Sequence, residues 1–164
     1  FSFRFDVEKS RKFCKKKFLD LDLVIGKTVL FFPYANTLIQ PDMSFWETIV
    51  EKWTDKKYKL ATYVNKDEAP LKGTIPIYCD IDQICSLAEM AGVVIGIRSG
   101  IFDILAHTKC NKYVYIGRYN NQKGKRFEDI ARKRAYYHGT MQTIGNQQNG
   151  ALKLDEQKHH ITKP

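Results

Sequence analysis

Apolar segments of strand length recur through the middle of the chain. The first, Thr28–Ala35, is continuous and rich in β-forming residues, which is typical of a strand buried on both faces of a parallel sheet. Four more strands are predicted at residues 59–65, 74–79, 92–97 and 112–117. Pro76 predicts an edge position for the third strand, because proline cannot donate a hydrogen bond within a ladder.

Between the strands, apolar residues recur at helical spacing. The clearest stripe predicts a helix packed on the sheet and consists of Phe45, Trp46, Ile49, Val50 and Trp53. Ser44 and Glu47 have the spacing of a capping box, so this helix is expected to begin at Ser44 and to end near Lys56. Further helices are predicted from Val7 to Phe18, from Asp80 or Asp82 to Ala91, and from Gly100 to His107.

The resulting order of elements, β-α-β-β-α-β-α-β, predicts a Rossmann-like α/β fold. Its sheet is expected to be mostly parallel with helices on both faces, and to span residues 28–118. Residues 1–27 are interpreted as a basic remnant of a preceding domain or a linker, which agrees with a chain that starts at Phe1. Residues 119–164 are expected to hold a basic helix, at 127–137, and a poorly ordered polar tail.

Composition and charge narrow the possible partners. The 164 residues are 43% hydrophobic and 27% charged, which suits one domain with a core. The net charge of +9 lies in the flanks, since residues 1–28 carry +4 and residues 118–164 carry +6. Such flanks indicate solvated helix faces, or contact with anionic lipid or phosphate-bearing substrates. Nucleic acid is disfavoured, because no RNA-reading aromatic signature accompanies the basic clusters.

Neither a membrane span nor a metal site is predicted. No apolar run approaches the roughly 20 residues that cross a bilayer, and we expect a cytoplasmic protein. The basic flanks leave open an alternative, which is peripheral contact with the inner face of the plasma membrane. The four cysteines form no C-x-x-C pair and no zinc-type spacing with histidine. They are expected to be reduced thiols, with Cys79 and Cys85 as small core residues.

Two loops after predicted strands carry candidate binding residues. Ligands of open parallel sheets bind beyond the carboxyl ends of the strands, and the first and fourth strands are expected to be neighbours that share one crevice. After the first strand, Asn36 and Thr37 can hydrogen-bond a ligand, although turn formation explains them equally well.

The loop after the fourth strand carries the sharper signal. Ser99 and Gly100 open a predicted helix whose first amides can hold an anion such as a diphosphate. Arg98 can bind phosphate oxygens, and Asp103 can accept hydrogen bonds from sugar or ribose hydroxyls. The alternative is an ordinary helix start in which Arg98 and Asp103 pair with each other. The chain has neither a Walker loop nor a G-x-G-x-x-G motif, which disfavours common NTPases and dinucleotide enzymes.

Three motifs together resemble the C-terminal half of family 9 glycosyltransferases, the heptosyltransferase-like enzymes of bacterial surface polysaccharide synthesis. They are Phe-Pro-Tyr-Ala-Asn-Thr at residues 32–37, Phe45-Trp46 on a helix, and residues 85–100, which end in Gly-Ile-Arg-Ser-Gly. The family has an Asp-Ser-Gly-Pro-x-His loop where this chain has Arg98-Ser-Gly-Ile-Phe-Asp103. The chain therefore resembles a divergent branch of that family.

The resemblance implies the donor-binding domain of a two-domain GT-B enzyme. Such an enzyme transfers a sugar from a nucleotide-diphosphate sugar to a saccharide or lipid-linked acceptor, with no obligatory metal or other cofactor. Ser99, Gly100 and Asp103 would line the donor site, and Arg98 would balance the diphosphate charge. The acceptor domain and the catalytic base are expected outside this sequence. The alternative is a non-catalytic nucleotide- or partner-binding module in polysaccharide assembly.

Overall fold

A computed structural model describes residues 6–36 and 40–116 and the backbone of three strands beyond them. The helices are α1 (Val7–Asp20), α2 (Met43–Asp55), α3 (Ile84–Ala91) and α4 (Gly100–Leu105). The strands are β1 (Thr28–Phe32), β2 (Lys59–Tyr63), β3 (Ile75–Ile77), β4 (Gly92–Ile97), β5 (Asn111–Ile116), β6 (Met141–Gln148), β7 (Ala151–Lys153) and β8 (Gln157–His159).

The strands form one sheet in the order β3-β2-β1-β4-β5-β6-β7, with β8 also paired to β6. The pairs from β3 to β6 along this order are all parallel, and β7 and β8 run antiparallel to β6. The predicted α/β, mostly parallel, Rossmann-like arrangement is confirmed, as are the pairing of β1 with β4 and the edge position of β3.

Buried side chains form two clusters that divide the strand residues alternately. One cluster takes Leu30 and Phe32 of β1 together with residues of α1, α3 and α4. The other takes Val29 and Phe31 with the apolar stripe of α2. Because successive side chains of a strand point to opposite sides, the two clusters lie on opposite faces of the sheet. Both tryptophans of α2 are buried in the second cluster, as the sequence predicts.

Helix α1 shares the core of the sheet, where the sequence analysis set it apart as a remnant or linker. Cys14 and Phe18 are buried in the same cluster as β1 and α3. The Ser10 hydroxyl and the Cys14 thiol also contact the backbone oxygens of Asp82 and Gln83, at 3.4 and 3.7 Å. The i, i+4, i+8 spacing of the buried residues gives the helix a narrow inner face among its lysines.

Two helix starts differ from those predicted. The capping box at Ser44 is wrong, because α2 begins one residue earlier, after Asp42, and the Ser44 carbonyl accepts a bond from the Thr48 hydroxyl at 2.9 Å. Helix α3 follows Gln83, whose side chain makes no capping bond, and neither Asp80 nor Asp82 caps it. In both places several capping-type residues are adjacent, and tertiary packing selects the start.

The C-terminal region contains more regular structure than predicted. The expected poorly ordered tail includes most of β6 and all of β7 and β8, so that prediction is wrong for these strands. β6 pairs with β5 because the backbone donors and acceptors on the outer edge of β5 would otherwise lack a partner strand. The helix predicted over residues 127–137 lies outside the described residues.

Candidate functional site

The carboxyl ends of β1 and β4 lie side by side and define the candidate site. Phe32 and Gly96 are register partners at this end of the sheet, so the loops that follow both strands leave from one edge. Asn36, in the first loop, is exposed. Thr37 lies outside the described residues, and a ligand-binding role for either residue stays a prediction.

Arg98 is anchored within the protein directly after β4. Its side chain is only 7% exposed, and its guanidinium forms an ion pair with the Asp103 carboxylate. The same group donates to the backbone oxygen of Ser99 at 3.2 Å. Local pairing of Arg98 with Asp103, the alternative weighed from the sequence, is therefore present. For Arg98 to bind a phosphate, Asp103 must release part of this contact.

The turn after Arg98 leads into a short helix. Ser99 precedes α4 with an extended backbone, but its hydroxyl makes no capping bond. The amides of Phe102 and Asp103 bond to the Ser99 carbonyl, at 3.0 and 3.3 Å. Because α4 has only six residues, its dipole gives an anion little stabilisation, and a ligand would depend on other groups at this edge.

Two buried hydroxyl groups lie at the ends of β4 and β5. Within the described residues, the Ser99 Oγ and Tyr115 hydroxyl atoms have no hydrogen-bond partner. Tyr115 is fully buried, and its ring packs edge-on against Phe45 with 5.2 Å between centroids. Burial, and secondarily the charge of Asp42, raises the pKa of Tyr115. A buried polar group without a partner is uncommon, and a water or a polar ligand that reaches these hydroxyls would satisfy them.

Tyr115 and Asp42 were not identified from the sequence. Tyr115 was interpreted only as part of an apolar strand, and Asp42 only as a loop residue. A weak signal was available, because tyrosine at the carboxyl end of a buried strand carries a polar group to the edge where ligands bind. The edge thus combines two hydroxyls with the carboxylates of Asp42 and Asp103, groups suited to sugar or ribose hydroxyls.

The opposite edge of the sheet contains a second polar feature. A cavity of about 310 Å³ is lined by Glu89, Gly92, Lys109, Cys110 and Asn111. Beside it, the buried Lys112 ammonium donates to the carbonyl of Cys110 at 3.0 Å and to that of Thr108. Burial lowers the pKa of Lys112. These bonds tie the turn before β5 together, so Lys112 has a clear structural role.

The cysteines are free thiols, as predicted. Cys79 is buried, whereas Cys85 is only partly buried against the core. Within residues 6–36 and 40–116, no group of three or more His, Cys, Asp or Glu side chains could hold a metal ion. None of the described helices combines the length and apolar character needed to cross a bilayer.

No protein-family model, curated protein or solved structure matches this chain.

The Asp103→Asn substitution tests how firmly Arg98 is held. We expect the free energy of unfolding to fall by about 1–2 kcal/mol, because a buried guanidinium loses its charged partner while Asp103 itself is partly solvated. Urea denaturation measures the change. Asp22→Asn is the matched control, since Asp22 pairs with Lys59 at 2.6 Å on the surface and its loss should be close to neutral. Equal losses in the free energy of unfolding would show that burial of Arg98 does not strengthen its ion pair with Asp103.

Proposed function

We propose that this chain is the donor-binding domain of a glycosyltransferase and that it holds a nucleotide-diphosphate sugar over the carboxyl ends of β1 and β4. The observation that carries the proposal is the strand order, which reverses direction between these two strands. In open parallel sheets, ligands bind in the crevice outside such a switch point. The resemblance of residues 29–116 to family 9 glycosyltransferases supplies the class of reaction.

The polar groups at this edge support the same ligand. The Ser99 and Tyr115 hydroxyls can donate to phosphate or sugar oxygens, which would satisfy two groups that are otherwise buried without partners. Asp42 and Asp103 can accept hydrogen bonds from hydroxyls of the ribose or the sugar. When the diphosphate leaves, negative charge builds on it, and Arg98 would stabilise that charge once Asp103 shares the guanidinium.

Nucleotide binding and its dependence on Tyr115 test the proposal. Titration calorimetry of the full chain with UDP, GDP and ADP is expected to show binding of at least one of them. Tyr115→Phe should weaken that binding about 3–10-fold, which corresponds to one neutral hydrogen bond. Tyr113→Phe is the matched control, because Tyr113 lies on the same strand and face but two residues further from the carboxyl edge. Equal affinities of the Tyr115 variant and the unmodified chain would contradict the proposed site.

The ion pair of Arg98 favours a second candidate, a non-catalytic binding module of polysaccharide assembly. The Arg98 guanidinium is buried and contacts Asp103 and Ser99, so it already has a structural role. A non-catalytic module would need no cation to stabilise a leaving group, which agrees with that role. The same titration separates the two functions. If none of the three nucleoside diphosphates binds, the module becomes the better description and the donor-binding role is rejected.

A further inference from the structure

The outer face of α1 is basic. Lys12 and Lys16 lie one turn apart on the side of the helix opposite its buried residues, and Leu19 follows at the same helical position. The remaining basic residues of the helix are Lys9, Arg11, Lys15 and Lys17, of which the first three are exposed. Against them stand two acidic residues within the helix, Glu8 and Asp20. The face thus presents a cluster of positive charge to solvent.

Aliphatic side chains are exposed beside this charge. Leu19 is 81% exposed, and Val24 and Ile25 in the following turn are 44% and 59% exposed. The turn folds back on the helix, because the amides of Asp22 and Leu23 bond to the carbonyls of Leu19 and Phe18 at 3.3 and 2.8 Å. The three aliphatic side chains are therefore held close to the end of the basic helix.

We propose that α1 and the turn after it dock on an anionic lipid surface. Lysines attract acidic headgroups, and adjacent aliphatic side chains enter the boundary between headgroups and acyl chains. Nucleic acid fits this surface less well, because single strands are bound by exposed aromatic rings and, among the described residues from Asp6 to Lys27, the large exposed apolar side chains are aliphatic. This inference is independent of the proposed donor site.

The placement of the surface leaves the candidate ligand site open. The turn after α1 leads directly into Thr28, the amino end of β1, and the Thr28 hydroxyl bonds to the Val24 carbonyl at 2.8 Å. The candidate donor site lies at the carboxyl end of the same strand. The aliphatic end of the surface, at the turn, therefore lies at the edge of the sheet opposite the crevice.

Sedimentation with vesicles tests the proposal on the full chain. Binding is expected to vesicles of phosphatidylserine and phosphatidylcholine, and to be weak on phosphatidylcholine alone. The double variant Lys12→Gln/Lys16→Gln should bind the acidic vesicles at least about tenfold more weakly. The matched control Lys66→Gln/Lys72→Gln removes the same charge from the exposed loop between β2 and β3 and should bind like the unmodified chain.

A second variant tests the apolar part of the surface. Leu19→Ser leaves every charge in place and should reduce binding to the acidic vesicles by about tenfold, since it removes the leucine side chain that the membrane would bury. Because Leu19 is exposed, the fold should be unaffected. The proposal is overturned if the α1 variants bind vesicles like the unmodified chain. It is also overturned if a single-stranded RNA oligonucleotide binds through Lys12 and Lys16 while acidic vesicles do not.

Discussion

Replacing Gly96 with alanine is expected to lower the free energy of unfolding by about 3 kcal/mol or more. A Cβ atom at this position would lie 2.5 Å from the carbonyl oxygen of Phe32 and 2.8 Å from Cε2 of Phe102. The Phe32 oxygen belongs to the backbone of β1, so it can move only if the β1–β4 ladder opens. The Phe102 ring is fully buried and has little room to turn away. Urea denaturation, followed by tryptophan fluorescence, measures the loss.

Gly100→Ala provides the matched control for this prediction. A Cβ atom at Gly100 would meet nothing within 4 Å, and the residue is the first of α4. Alanine loses less backbone entropy than glycine on folding, so this variant should be unchanged or more stable by up to about 1 kcal/mol. Similar losses in the two variants would mean that close packing at Gly96 does not set the β1–β4 spacing.

Stability is expected to fall steeply above pH 9, in part because the Cys14 and Cys79 thiols are buried. Burial, helped by the charge of Asp82, raises the pKa of Cys14 from 9.0 to about 11. Burial is also the main reason that the pKa of Cys79 is raised to about 12, with the charge of Cys14 next in size. Above pH 9 the unfolded chain releases these protons and the folded chain keeps them. Each thiol then costs up to about 1.4 kcal/mol per pH unit, until the pH reaches its folded pKa.

The slope of stability against pH, measured by urea denaturation between pH 8 and about 11, tests this linkage. The double variant Cys14→Ala/Cys79→Ala should show a much flatter slope, whatever its absolute stability. Lys112 contributes the opposite slope, because burial lowers its pKa and the unfolded chain then binds more protons. That contribution is common to both proteins and cancels in the comparison. Identical slopes would contradict the assignment to the two thiols.

The parallel sheet, the pairing of β1 with β4 and the edge position of β3 followed from local patterns in the sequence. Continuous apolar runs such as Thr28–Phe32 can be buried only between two layers of helices, and the helices between them require parallel crossovers. The adjacency of β1 and β4 follows from that arrangement, and so does the shared edge from which the loops with Asn36 and Arg98 leave. These features depend on the spacing of apolar residues and on the type of segment that links two strands, and both can be read from a single sequence.

Other features depend on what surrounds each residue in space. Helix α1 has six basic residues, and its buried positions Ser10, Cys14 and Phe18 include one polar residue and a cysteine. The sequence of the helix therefore shows no clear apolar face, although the three residues share one side. From the sequence, Arg98 and Asp103 were compatible with a phosphate site and with a mutual ion pair, and only their arrangement in space shows that the ion pair forms. The buried hydroxyl of Tyr115 depends on where α2 packs, which the sequence of β5 does not encode.

β3, which forms one edge of the described sheet, has a consequence for encounters between copies of the chain. Open strand edges recruit other chains and can seed fibrils. β3 has only three residues, and the central one is Pro76, which offers no N–H to an approaching backbone. A second molecule therefore finds too few donors on this side to extend the ladder, and the protein can reach high concentration without polymerising through β3.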